Sequence, residues 1–219
     1  MCIRDRFTPP KVCPPARTPP ITRGRTLTFG MLQRFAKMGA DVWDAVAAVL
    51  RATPDSQFLI HNGDGELDRP DSDTARFLRT QLEVRGVDPR RLRLAGPMPH
   101  VAHLDLISDI DVALDTWPYS GTTTTCECIW MGVPVVTLSG RSHASRVSAA
   151  LLQRMDLGNL VAPDAAGYIA KATRQAADID GLRSHRSTMR DRAIASGLTD
   201  GRALAAAMES AYEQWVALA

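Results

Sequence analysis

Short apolar segments alternate with amphipathic segments of about ten residues along most of this chain. The longer segments carry apolar side chains at helical spacing, as at Val42, Ala45, Val46 and Val49. Parallel strands need crossover connections, which are usually helical, so the alternation predicts an α/β fold with a parallel sheet flanked by helices. The predicted strands are 26–29, 57–61, 91–94, 111–114 and 134–138, and the predicted helices are 41–51, 73–85, 100–108 and 122–131, followed by a helical tail from Ala144 with breaks near Gly158, Asp180–Gly181 and Gly197.

A proline-rich leader precedes this pattern. Six of the chain's 14 prolines fall between residues 9 and 20. Proline lacks a backbone N–H and cannot join regular ladders, so this composition is typical of an extended linker. The opening letters, MCIRDR, resemble a translated sequencing adapter. We therefore expect residues 1–20 to be a disordered or artefactual leader, with one domain over residues 21–219.

Composition and charge exclude several classes of protein. A net charge of +2 argues against a dedicated nucleic-acid-binding protein, although such a chain can hold a local anion site. No apolar run reaches the roughly 20 residues that a membrane span needs, and no signal-peptide core precedes the domain, so we expect a cytoplasmic protein with no membrane contact. The four cysteines lack a second pair at ligand spacing, so they predict free thiols and no metal site.

Residues 115–137 carry the strongest functional signal and read DTWPYSGTTTTCECIWMGVPVVT. This pattern predicts a strand end, a glycine turn, a threonine-rich helix start and a buried strand. Unpaired N–H groups at a helix start attract anions, and the hydroxyls of Thr122, Thr123 and Thr124 can donate to phosphate oxygens. Glu127 lies where a carboxylate could accept from a ribose diol. The segment predicts a nucleotide-diphosphate site; the alternative is a helix start whose threonines only cap a packed core.

Cations and histidines are predicted at the same rim, because the carboxyl ends of parallel strands face one way. Arg34 and Lys37 follow the first strand and could balance a diphosphate, although two cations are also typical of a solvated turn. His100 and His103 lie three residues apart on one helix face, where they could bind a phosphate or nucleobase or only cap the helix. A metal site there would need a third ligand, and none is evident.

Other candidates are weaker. His61-Asn62-Gly63-Asp64-Gly65 resembles a metal loop superficially but is more typical of a turn and surface loop. The sequence has neither the P-loop nor the G-x-G-x-x-G fingerprint, which removes the common ATPase and dinucleotide-binding classes. It also has no G-x-S-x-G elbow, so no serine nucleophile is predicted.

Three motifs in order resemble the carboxy-terminal catalytic lobe of O-linked N-acetylglucosamine transferases, and the plant SPINDLY-type O-fucosyltransferases share them. The motifs are DTxPYxGxTT at 115–124, WMGVPVVT at 130–137 and GRxxASRV at 140–147. The similarity extends from about Thr26 to the C-terminus. It implies a GT-B glycosyltransferase of two Rossmann-like lobes, of which the C-terminal lobe binds a nucleotide sugar and uses no metal or cofactor.

The resemblance also implies roles for single residues. Lys37 corresponds to the lysine that contacts the diphosphate and supports catalysis. The polar position near that lysine is Arg34. The contacts to the base correspond to Met98, His100 and His103, the last on the uracil or phosphate side. The phosphate-binding turn corresponds to Thr122, Thr123 and Thr124, and the ribose carboxylate to Glu127.

Three positions depart from the family pattern. Gln33-Arg34 replaces an Asn pair, Thr122 stands where a small residue or histidine is usual, and Glu127 replaces an Asp. These departures leave the donor open between UDP-N-acetylglucosamine and GDP-fucose.

The family's tetratricopeptide repeats and N-terminal catalytic lobe have no counterpart in this sequence. We therefore expect a fragment that binds the donor, whose protein acceptor would offer a Ser or Thr hydroxyl through the missing lobe. Transfer in the complete enzyme would invert the anomeric configuration without a metal. The alternatives are a non-catalytic nucleotide-sugar-binding module and a nucleotide-sugar epimerase on the same fold.

Overall fold

The computed structural model describes residues 7–217, in which six parallel strands form one sheet. The strands are β1 (Leu27–Met31), β2 (Ser56–His61), β3 (Leu92–Ala95), β4 (Val112–Leu114), β5 (Val135–Leu138) and β6 (Val161–Ala162). Their order across the sheet is β3-β2-β1-β4-β5-β6. The predicted parallel α/β fold is confirmed.

The described part of the chain contains eight α-helices, of which the last has no buried residue. They are α1 (Ala40–Ala52), α2 (Asp73–Glu83), α3 (His100–Ile107), α4 (Thr123–Trp130), α5 (Val147–Arg154), α6 (Ala165–Ala177), α7 (Ile179–Ala195) and α8 (Gly201–Ala217). Helix α1 packs against α6 and α2, whereas α4 packs against α3 and α7. None of the helices in residues 7–217 is long and apolar enough to cross a membrane.

The core is centred on the middle strands. Phe29, Phe58, Val112 and Leu114 are at most 2% exposed, as expected for strands that are covered on both faces. A Cβ at Gly30 would overlap the side chain of Ile110, so glycine is required where β1 pairs with β4.

The strand order reverses between β1 and β4, since β2 and β3 lie on one side of this pair and β5 and β6 on the other. In open parallel sheets a crevice forms at such a reversal, beyond the carboxyl ends of the strands. The segment that leaves β1 and the segment that leaves β4 therefore border the same crevice, and both contain predicted site residues.

Two features of the C-terminal half differ from the sequence prediction. Strand β6 was not predicted, because two residues are too few to show periodicity. The break predicted near Asp180–Gly181 lies two residues earlier, at Asp178, whose carboxylate caps α7 by accepting from the Gly181 N–H at 2.8 Å.

Residues 7–20 contact the domain, which differs from the expected disordered leader. The ring centroids of Phe7 and Trp130 are 5.9 Å apart, and Arg17 donates to the Asp105 carbonyl at 2.8 Å. Many prolines exclude regular strands but do not prevent single side chains from packing, so composition alone could not predict these contacts. Residues 1–6 lie outside the described residues, and the start of the domain at residue 21 stays a prediction.

Candidate functional site

An open cleft of about 630 Å³ lies at the reversal of strand order. This volume falls in the range of about 300–1,000 Å³ typical of small-molecule sites. The cleft is bordered by the segments after β1 and β2, the segment that leads into α3 and the first turn of α4. The lining residues are Leu32, Gln33, Arg34, Lys37, His61, Asn62, Gly63, Pro97, Met98, His100, His103, Thr123 and Thr124.

Most of the predicted site residues line this cleft, and two do not. Thr122 is exposed at the N-cap of α4, outside the lining, and its side chain forms no capping hydrogen bond. Glu127 is 7% exposed and lies behind the two histidines of α3. The cleft therefore brings together residues from four separate segments of the chain.

Asp115 fixes the turn that precedes α4. Its buried carboxylate accepts hydrogen bonds from the backbone N–H groups of Thr116 at 2.9 Å and Gly121 at 2.8 Å, and from the Thr137 hydroxyl at 2.8 Å. Burial raises the pKa of Asp115, and these hydrogen bonds oppose the rise. A Cβ at Gly121 would overlap Gln33, so the turn can approach the segment after β1 only with glycine there.

The threonines at the start of α4 have different surroundings. Thr123 and Thr124 line the cleft, and the Thr124 Oγ1 accepts from Gln33 Nε2 at 2.6 Å. Thr125 is buried and its hydroxyl lies 2.8 Å from the Ser148 hydroxyl, which makes it a packing residue. The first backbone N–H groups of α4 therefore lie beside two available hydroxyls, an arrangement that favours an anion.

Lys37 faces the same part of the cleft. Its Nζ lies 3.8 Å from the ring centroid of Tyr119 and 3.4 Å from Gln33 Oε1. Burial lowers the pKa of Lys37; the charge of Asp115 opposes this effect and that of Arg34 adds to it. We call Gln33, Lys37, Tyr119, Thr123 and Thr124 the lysine end of the cleft.

A second part of the site is organised around Glu127. His100 Nε2 donates to Glu127 Oε1 at 2.8 Å, and His103 Nε2 donates to Glu127 Oε2 at 3.1 Å. Burial alone would raise the pKa of Glu127, but the hydrogen bonds from His103 and His100 outweigh it and lower the pKa. We call His61, His100, His103 and Glu127 the histidine end.

Sequence reasoning missed His61 and Asn62 as parts of the site. The His61 ring centroid lies 4.9 Å from that of His103, and the His61 Nδ1–H donates to the Ala95 carbonyl at 3.0 Å. Burial lowers the pKa of His61, the bond to Ala95 opposes this, and His103 adds to it. The only sequence signal was their place at the carboxyl end of a predicted strand, where His61 is the last residue and Asn62 is the next.

Metal-ligand chemistry has little support in residues 7–217. No group of three or more His, Cys, Asp or Glu side chains there is arranged to hold a metal ion. Cys126 and Cys128 are buried, and burial raises the pKa of Cys126 to about 12, so neither thiol is poised to act as a thiolate.

Comparison with known proteins identifies the family of this chain. The model of glycosyl transferase family 41 matches residues 33–208. The chain belongs to glycosyl transferase family 41. A relative from Hordeum vulgare, named a probable UDP-N-acetylglucosamine–peptide N-acetylglucosaminyltransferase SPINDLY, is 37% identical over 212 residues. That match covers 94% of this chain and 22% of the relative, so this family 41 chain spans about a fifth of the length of the curated relatives.

Solved structures of the same architecture extend the comparison. A mutant of the Thermobaculum terrenum O-GlcNAc transferase superposes with a TM-score of 0.84 at 34% identity, over 96% of this chain and 40% of that chain. Staphylococcus aureus TarM, solved with UDP, gives a TM-score of 0.64 at 14% identity over 97% of this chain and 38% of TarM, which shows the fold alone. The predicted family and the predicted GT-B fold are confirmed.

Proposed function

We propose that this family 41 chain is the donor-binding lobe of an inverting, metal-independent protein O-glycosyltransferase that uses UDP-N-acetylglucosamine. The observation that carries the proposal is that Lys37 and the first turn of α4 line one cleft at the reversal of strand order. The relatives' printed names point to the same donor.

The lysine end suits a diphosphate. The Lys37 ammonium supplies a mobile positive charge, the start of α4 supplies backbone N–H groups, and Thr123 and Thr124 supply hydroxyl donors. Arg34 also lines the cleft and can add a second cation. We propose Thr122 as a more distant contributor, since it lies outside the lining.

The histidine end suits the nucleoside. We propose that Met98, His100 and His103 contact the base, because all three line the cleft and present apolar surface or ring nitrogens. Glu127 would accept from the ribose diol. Its two oxygens already accept from the histidines, so ribose binding would require Glu127 to share or exchange one of these partners.

Transfer would follow from stabilisation of the leaving group. An acceptor Ser or Thr hydroxyl oxygen would bond to the anomeric carbon while the bond from that carbon to the diphosphate breaks, which inverts the configuration. The charge that develops on the diphosphate would be stabilised by Lys37 and the start of α4. The hydroxyl proton would pass to a base outside this chain, so we propose that the chain alone binds the donor without transferring it.

Calorimetry with UDP, UDP-N-acetylglucosamine, GDP and GDP-fucose tests the donor. We expect saturable binding of the uridine nucleotides and a matching rise in Tm, because a ligand of the native state stabilises it. Preference for GDP-fucose would instead favour O-fucosyl transfer, and binding of none of the four would contradict the proposal.

Exchange of the matching lobe of the Thermobaculum terrenum O-GlcNAc transferase for this chain tests the reaction. We expect the chimera to modify a peptide hydroxyl and its Lys37→Ala form to be strongly impaired at unchanged Tm. A folded chimera that binds donor but transfers nothing would favour a non-catalytic module. Epimerised sugar among the products would favour an epimerase.

A further inference from the structure

We propose that Tyr119 and Gln33 are positioning residues that hold the Lys37 ammonium in place for a diphosphate without neutralising it. The proposal rests on the proposed function and deepens it, because it assigns two residues that act through Lys37. The ligand class is the diphosphate of a nucleotide or nucleotide sugar.

Lys37 is an unusual cation in this chain. Only three of the 26 basic residues are lysines, namely Lys11, Lys37 and Lys171, and Lys37 is the one that lines the cleft. Within residues 7–217 it forms no ion pair with a carboxylate. Its close polar contacts are instead the face of an aromatic ring and an amide oxygen.

Neutral partners serve an anion-binding lysine better than a carboxylate would. A carboxylate in contact with Lys37 would compete with the diphosphate, and binding would have to break an ion pair first. The π face of Tyr119 and Gln33 Oε1 attract the ammonium more weakly and leave its full charge available. They also restrict the four-carbon side chain, which lowers the entropy lost when a ligand binds.

Both partners are held by their surroundings. Gln33 is 8% exposed, and its Nε2 donates to Thr124 Oγ1 at 2.6 Å, so the amide turns its oxygen towards Lys37. The backbone of Tyr119 is fixed by the Thr116 hydroxyl, which donates to the Tyr119 carbonyl at 2.8 Å. Gln33 thus links Lys37 directly to the first turn of α4.

The Tyr119 side chain is not part of the hydrophobic core. It is 55% exposed, so its removal leaves no internal cavity and should cost little stability. A large, exposed aromatic ring beside a cleft cation is better explained by its contact with that cation than by packing. Variants of Tyr119 can therefore separate positioning from folding.

NMR of the 219-residue chain tests the contact before any ligand is added. Reductive methylation with 13C-formaldehyde labels the three lysines and the N-terminal amine and keeps their charge. The Lys37 signal, assigned by its loss in Lys37→Arg, should lie upfield of the other two because of the Tyr119 ring. It should stay there in Tyr119→Phe and return to the range of Lys11 and Lys171 in Tyr119→Leu. A Lys37 signal unaffected by Tyr119→Leu would overturn the contact.

Calorimetry with UDP and uridine tests the consequence. We expect Tyr119→Leu to weaken UDP about tenfold, as befits a partly desolvated cation–π contact, and to leave uridine unchanged. Tyr119→Phe should restore the affinity, and Tyr119→Leu should add nothing in a Lys37→Met background. A loss that persists in that background, or that Phe does not restore, would show that Tyr119 contacts the ligand itself and would overturn its positioning role.

Gln33→Glu tests the need for neutrality with almost no change of shape. The new carboxylate would pair with Lys37, and the substitution would also remove the Nε2 donor to Thr124, so UDP should bind at least about tenfold more weakly while uridine is unaffected. The part of this loss that comes from pairing should disappear in a Lys37→Met background. UDP binding equal to that of the unchanged protein would overturn the argument for neutral partners. If the unchanged protein binds neither UDP nor GDP, the proposed function and this inference both fail, whereas normal binding in all variants overturns the inference alone.

Discussion

The lysine end and the histidine end of the cleft differ in whether their charged groups already have charged or strongly hydrogen-bonding partners within the protein. At the lysine end, the contact partners of Lys37 among residues 7–217 are neutral, namely the Tyr119 ring and Gln33 Oε1. At the histidine end, both oxygens of Glu127 accept from imidazoles. A ligand anion could therefore join the lysine end directly, whereas a ribose bound at the histidine end, as proposed, would have to share or replace a partner of Glu127. We infer that the diphosphate supplies most of the affinity and the nucleoside most of the selectivity.

Removing Asp115 should have the largest effect, because it destroys the support of the lysine end. We expect Asp115→Ala to lower the free energy of unfolding by about 3 kcal/mol or more, since the Thr116 and Gly121 N–H groups lose a buried acceptor. Asp115→Asn should cost less, because the Thr137 hydroxyl can accept from an amide. Urea unfolding measures both, with the exposed Asp55→Ala as control, expected within about 0.5 kcal/mol. An Asp115→Ala protein as stable as this control would contradict the role of the carboxylate.

Lys37→Met should have the next largest effect and should separate the two ends. We expect UDP affinity to fall about 100-fold, which is the loss of one charged hydrogen-bond donor to phosphate, while uridine affinity stays unchanged. Calorimetry with both ligands measures the difference. The exposed Lys11→Met is a matched control and should bind UDP normally. Equal losses for UDP and uridine would show that Lys37 does not act on the diphosphate.

Glu127→Gln should affect the histidine end and should show a defined pH dependence. The folded chain keeps Glu127 ionised below its ordinary pKa of 4.5, so the folded state binds fewer protons in acid than the unfolded chain. The stabilisation is complete above that value and is lost as the pH falls through the lower folded pKa. We expect Glu127→Gln to cost about 1 kcal/mol near neutral pH and the difference from the unchanged protein to shrink in acid.

Thermal unfolding between pH 3 and 7 measures this difference, with the exposed Glu83→Gln as control. In binding experiments, Glu127→Gln should weaken UDP and uridine by similar factors, unlike Lys37→Met. A difference between Glu127→Gln and the unchanged protein that grows in acid would contradict the lowered pKa, and a loss confined to UDP would contradict the division of the cleft.

The sequence predicted the elements of the fold better than the contacts within the site. Alternating apolar runs located β1 to β5 because each is long enough to show a pattern, whereas β6 has two residues. The contact between Lys37 and Tyr119 depends on β1 lying beside β4, and that strand order cannot be read from periodicity. His61 and Asn62 resembled an ordinary turn for the same reason, because their place in the cleft depends on which strands are neighbours.

The threonines at the start of α4 give the smallest expected effect, since the family resemblance and the geometry weight them differently. The resemblance assigns Thr122, Thr123 and Thr124 alike to the phosphate-binding turn, but only the last two line the cleft. Thr124→Val removes a hydroxyl from the cleft and also the acceptor of Gln33 Nε2, so we expect UDP to bind about fivefold more weakly. Thr122→Val should change UDP affinity by less than about twofold, because this side chain lies outside the cleft and forms no capping bond. A larger loss in Thr122→Val than in Thr124→Val, measured by calorimetry at equal Tm, would mean that the diphosphate sits nearer the N-cap of α4 than the cleft geometry implies.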